Sequence, residues 1–156
     1  MVEINTGLDD NARGAVAEAL KGVLSDTYVL YLKTHSFHWN VTGPRFNSLH
    51  TLFEEQYRDM WAALDELAER VRALGYFAPA SAEDFKERSG LTSAGTEPPS
   101  DTAMIEALLQ DHETLIRRSR EALETADNAD DTASEDLLTQ RIQTHEKMAW
   151  MLRSSL

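Results

Sequence analysis

The sequence predicts an all-α fold, a four-helix bundle with one long crossover between its second and third long helices. Three observations carry this. Apolar residues recur at steps of three and four through four long segments. Glycine and proline are sparse and cluster at a few breaks, Gly43-Pro44, Gly75 to Pro79, and Ser89 to Ser100. The middle connection, residues 75–100, is far longer than the Gly43-Pro44 turn.

Segment one runs from about Asp10 to His38. Val16, Leu20, Val23, Leu24, Thr27, Leu30, Tyr31 and Thr34 mark one helical face. Segment two runs from about Arg45 to Leu74 on Phe46, Leu49, Phe53, Tyr57, Met60, Leu64, Leu67, Val71 and Leu74, with Gly75 as its stop. Within the long connection, Ser81 can cap a short helix reaching Arg88. Segment three starts at Ser100 or Asp101 and follows Met104, Leu108, Leu115, Ile116 and Leu123 to about Ala126. Segment four spans about Thr132 to Leu152, with Leu137, Leu138, Ile142, Met148, Trp150 and Met151. Short turns make antiparallel neighbours and a long link lets the second pair cross over, which is the ferritin-like arrangement. The 156 residues are read as a single domain, 1–156.

Composition removes several function classes. There is no cysteine, so disulfides and thiolate metal sites are excluded, a usage typical of a reducing cytoplasm. The N-terminus lacks a basic and then apolar leader pattern, and no apolar run reaches the roughly 20 residues of a membrane span. A soluble, cytoplasmic protein is expected. The formal net charge of −12 disfavours contact with phosphate backbones. There is no Gly-rich phosphate loop, nucleophile elbow, HExxH or Glu-x-x-His pair.

The chemistry lies between His35 and Glu69. His50 and Glu54 are four apart on segment two, as are Asp65 and Glu69, and all four share one side of the helix. Imidazole with carboxylate suits iron, manganese or zinc. Glu54 and Asp65 are eleven residues apart, about 16 Å of helix rise, whereas metal–ligand bonds are about 2 Å. One ion cannot take both pairs on one helix. Either there are two sites, or a two-fold axis near Asp59 and Met60 sets His50 and Glu54 of one copy against Asp65 and Glu69 of the other. His38, before the Gly43-Pro44 turn, can add a third ligand, and the adjacent Trp39 can supply a one-electron equivalent. Trp61 and Trp150 are expected in the core or at an interface, and His35 is a further possible ligand.

The run Lys33-Thr34-His35-Ser36-Phe37-His38-Trp39-Asn40-Val41-Thr42-Gly43-Pro44 resembles the hallmark of the Dps family, the DNA-binding proteins from starved cells. The likeness continues through Leu49-His50, Phe53-Glu54-Glu55-Gln56-Tyr57, Asp65 to Arg70, Leu74-Gly75 and Trp150-Met151-Leu152. The resemblance implies a dodecameric shell of four-helix subunits. It implies ferroxidase centres at the two-fold interfaces, each taking two irons, with iron(II) oxidised preferably by hydrogen peroxide and stored as ferric mineral against oxidative stress. It carries the ligands onto His38, His50 and Glu54 of one subunit and Asp65 and Glu69 of its mate, with Trp39 beside the centre and zinc as a competitor. Glu54 stands where the family commonly has aspartate. Asp131 and Asp136 match the family's acidic iron-entry pore. Residues 1–20 hold one base, Arg13, against four acids, so weak or absent DNA binding is expected. The alternative is a nucleoid-associated DNA-protecting protein with secondary iron chemistry.

Overall fold

The computed structural model describes residues 2–156. Five helices follow in order: α1 (Asp10–Asn40), α2 (Phe46–Ala73), α3 (Ala82–Arg88), α4 (Asp101–Asn128) and α5 (Thr132–Arg153). No strand occurs among the described residues. α1 pairs with α2 and α4 with α5 as two helical hairpins, joined mainly where α1 meets α4, while α3 lies on α1. The result is the expected four-helix bundle, with α3 on the crossover.

Each helix end has a local cause. Asp9 caps α1 by accepting from the Ala12 N–H at 2.8 Å, and Ser81 caps α3 through the Asp84 N–H at 3.1 Å. Of the two candidates for α4, Ser100 is the cap, accepting from the Ala103 N–H. Asp101 instead accepts from Arg45 Nε at 2.8 Å, tying the start of α2 to the start of α4. α2 ends in a Schellman turn: Gly75 N–H reaches Arg72 O at 3.0 Å and Tyr76 N–H reaches Val71 O at 3.2 Å. Gly75 sits at φ +97°, and a Cβ there would stand 2.4 Å from Ile4 Cδ1, so glycine is required. α4 runs two residues past the expected end and closes in the same way, with Asp130 at φ 56°.

The core runs the length of the bundle. Leu20, Leu24 and Leu30 of α1 meet Phe53, Met60 and Leu67 of α2, Met104, Leu108 and Leu115 of α4, and Leu138 and Leu152 of α5, all buried. Polar groups inside are largely paired. Lys33 Nζ donates to Asp111 at 2.6 Å, and Arg141 donates to Asp59 at 2.7 Å. Asp26 accepts from Ser89 Oγ and the Gly90 N–H, which fastens the crossover to α1. Trp61 and Trp150 are 63% and 59% exposed. The core is therefore not their place in the subunit.

Candidate metal centre

His38 lies in the last turn of α1 and His50 in the second turn of α2. The Gly43-Pro44 turn, with Gly43 at φ +105°, folds one helix end back on the other. Each imidazole then bonds the other residue's backbone: His38 Nδ1 to His50 O at 2.7 Å, and His50 Nδ1 to His38 O at 2.7 Å. A carbonyl oxygen only accepts, so both Nδ1 atoms carry the proton and both Nε2 atoms keep a free lone pair. That is the tautomer a metal needs, set by the hydrogen bond on the other nitrogen. The rings stack 3.7 Å apart and 13° from parallel. Phe46 covers the His50 ring at 4.9 Å and Tyr57 meets His38 edge-on at 5.1 Å. Both donors are thus oriented before any metal arrives.

Glu54 is one turn beyond His50. Its carboxylate accepts twice from Arg58, Nε at 2.9 Å and Nη2 at 2.8 Å. The Arg58 hydrogen bond, and then its charge, hold this carboxyl below the ordinary range against the opposing effect of desolvation. Arg58 is a neighbour of the candidate ligands that the ligand pattern did not single out, although its i,i+4 spacing from Glu54 is in the sequence.

Asp65 and Glu69 are exposed on α2, and no hydrogen bond or ion pair among the described residues engages either. Among the described residues no three His, Cys, Asp or Glu side chains converge to hold a metal ion. The subunit brings together His38 and His50, with Glu54 nearby, and leaves Asp65 and Glu69 apart on the continuous α2.

His35 and Trp39 are placed differently from the ligand pair. His35 is held between Trp39, at 3.9 Å, and Tyr57, at 4.0 Å and 20° from parallel. Its Nδ1 is 3.2 Å from the Tyr31 hydroxyl. Burial, then His38 and Arg58, lower its pKa, so it stays neutral. Trp39 is 61% exposed and packs against His35 at a 36° tilt rather than against either candidate ligand.

The two pore candidates also part. Asp131 is 2% exposed and caps α5: it accepts from the Ser134 N–H and hydroxyl and from Arg70 Nη2 at 2.7 Å. Asp136 is exposed, bonded only to Gln140 of its own helix. It shares a cleft of about 450 Å³ between α2 and α5 with Glu66, Glu69, Arg70 and Gln140.

The ferritin-like domain family matches residues 17–156. A DNA protection during starvation protein of Bacillus anthracis is 38% identical over 141 residues, covering 90% of this chain and 96% of that protein. The chain belongs to the Dps family. Another relative, a low temperature-induced protein of Nostoc, is 43% identical, with 99% of this chain and 87% of that protein covered. Among solved Dps structures, that from Vibrio cholerae superposes with a TM-score of 0.92 at 30% identity, covering 99% of this chain and 96% of that one. The Vibrio Dps is a member of a broad superfamily of ferritin-like diiron-carboxylate proteins.

Proposed function

We propose that the protein stores and detoxifies iron as a ferroxidase, with its centres at two-fold interfaces of a dodecameric shell. The observation that carries this is the His38/His50 pair: two fixed Nε2 lone pairs with no converging group of three ligand side chains among the described residues of the subunit. His38, His50 and Glu54 bind from one side, and the partner subunit's Asp65 and the partner subunit's Glu69 complete the set. Two iron(II) ions are the substrates. Hydrogen peroxide accepts one electron from each, its O–O bond breaks, and two protons complete two waters. Iron(III) moves inward and is stored as mineral. Zinc, which accepts the same imidazole and carboxylate donors, competes.

Asp136 is the better pore carboxylate, because it is exposed and shares its cleft with Glu69. Asp131 serves it indirectly, by capping α5 and holding Arg70. The DNA protection named for the Bacillus relative is read here as removal of iron and peroxide rather than as contact with DNA. The net charge is −12, and Arg13, the one base among residues 1–20, is buried on Leu74 O and Asp10. No helix is long and apolar enough to cross a membrane, and a cytoplasmic location fits the iron reading.

The test follows iron(II) oxidation with peroxide and with oxygen, in the parent and in a His38→Ala/His50→Ala variant. The variant should lose the fast phase; equal rates would sink the site assignment. A gel shift at low and moderate salt should show no stable complex with duplex DNA, and a retained complex would favour the nucleoid-associated alternative.

A further inference from the structure

Beside the metal half-site runs a connected aromatic array that binding does not require. Tyr57 touches His38 edge-on at 5.1 Å and stacks on His35 at 4.0 Å. Tyr31 lies 5.6 Å from His35, 6.2 Å from Tyr57 and 5.5 Å from Trp61. The Tyr31 hydroxyl and His35 Nδ1, one helical turn apart, are 3.2 Å from each other.

We propose that Tyr31 is a one-electron donor to the metal centre, connected through the His35–Tyr57 stack, with His35 Nδ1 as the base that receives its proton. This rests on the ferroxidase reading above.

The need for such a donor follows from electron counting. Peroxide reduction to water takes two electrons, and a single iron(II) gives one. Glu54, the one carboxylate on the histidine side, is occupied by Arg58, so a first iron on His38 and His50 can meet peroxide before a second is seated. With Tyr31 in reserve the step balances. The O–O bond breaks, iron(II) and Tyr31 each give one electron, and the phenolic proton passes to His35. Two protons from solvent complete two waters, leaving iron(III) and a neutral tyrosyl radical. A later iron(II) returns the electron and His35 returns the proton, so the sum remains two irons per peroxide.

Tyr31 is favoured over Tyr57 as the resting place of the radical. A phenol oxidised at neutral pH sheds its proton, and a base must stand ready. Tyr31 has His35 at hydrogen-bond distance, whereas no acceptor engages the Tyr57 hydroxyl among the described residues. Burial, and then Tyr57 and Tyr28, raise the Tyr31 pKa, so the phenol is protonated before the step.

The experiment loads the full-length protein with one iron(II) per centre, adds peroxide, and records freeze-quenched EPR spectra. The parent should give a tyrosyl signal, assigned by ring-deuterated tyrosine. Tyr31→Phe, which keeps the ring and its packing, should lose that signal to background. His35→Gln should shift the g-values of the signal towards those of a tyrosyl without a hydrogen bond and shorten its life. An undiminished signal in Tyr31→Phe, or a signal from tryptophan alone, would overturn the inference. Paired-iron oxidation in the parent with no tyrosyl signal would overturn this inference and leave the ferroxidase reading standing. No iron oxidation at all would overturn both.

Discussion

The buried histidine pair between α4 and α5 should make the fold acid-sensitive above the carboxylate range. His112 and His145 are 0% and 1% exposed, with their Nδ1 atoms 2.9 Å apart. Arg141 Nη2, which can only donate, lies 3.2 Å from His145 Nε2. His145 therefore carries its proton on Nδ1 and donates to His112 Nδ1, which leaves the His112 Nε2–H buried without a partner. Burial, and then the Arg141 charge, push His112 down to about 3. Burial, then His112 and Arg141, also depress His145. A depressed histidine contributes stability that is fully present above the unfolded pKa, near 6.5, and lost as pH falls towards the folded value. The loss is about 1.4 kcal/mol per pH unit per group. Between pH 6.5 and pH 5, where the unfolded group goes from half to almost fully protonated, His112 alone removes about 1.6 kcal/mol, and His145 acts in the same direction. That is a large fraction of a typical domain stability of about 5–15 kcal/mol. The assay is urea unfolding at both pH values and at one protomer concentration, because assembly contributes to stability. The comparison is with a His112→Leu/His145→Leu variant, in which Arg141 retains Asp59. Every other titrating group is common to both proteins and cancels. The variant should lose at least about 1.6 kcal/mol less than the parent over this interval; equal losses would refute the reasoning.

Asp131→Ala removes the α5 cap and the partner of Arg70, and should lower stability by about 2 kcal/mol without changing iron oxidation at the isolated centre; an unchanged Tm would contradict the capping role. Asp111→Asn strands the Lys33 ammonium, only 5% exposed, and should cost about 3–5 kcal/mol. Lys33→Met/Asp111→Leu should recover much of that, as chemical denaturation can show. Arg58→Ala should free Glu54 and tighten Co(II) binding, read from the visible absorption of the bound ion. Unchanged affinity would mean that Arg58 does not compete for that carboxylate.

Most of the fold was legible because its cues are local. Ser81 and Gly75 sit at helix ends with the side chain, or the lack of one, that the end requires, and the apolar steps of α1 and α2 became the core face. Phe46 and Trp150 belong to the same periodic patterns yet stand 39% and 59% exposed, since periodicity marks a face and not what covers it. The site was legible as residue types and spacings only. His38 and His50 are twelve apart across a turn, which says that two helix ends meet. That each ring bonds the other residue's carbonyl depends on how those ends pack. Asp131 shows the same limit. An acidic residue opening a helix can cap it or face solvent, and here Arg70, 61 positions away, decides. Trp39 follows His38 directly, yet their shared position in sequence turns the indole onto His35, because successive helical residues point about 100° apart.

The division of ligands has an electrostatic logic of its own. The half-site that His38 and His50 form is neutral, and Arg58 cancels the charge of Glu54 beside it. A divalent cation gains two lone pairs there but little charge compensation, so a lone subunit offers a poor site. Asp65 and Glu69 present two unpaired carboxylates with no imidazole near them, a poor site for the opposite reason. Set against each other across a two-fold axis, one half supplies oriented neutral donors and the other supplies the charge. In that proposed arrangement, metal binding and subunit pairing strengthen each other by the same coupling free energy. In the proposed shared site, the roughly 16 Å of helix between Glu54 and Asp65 is what ties binding to pairing, because one ion cannot span both pairs on one helix.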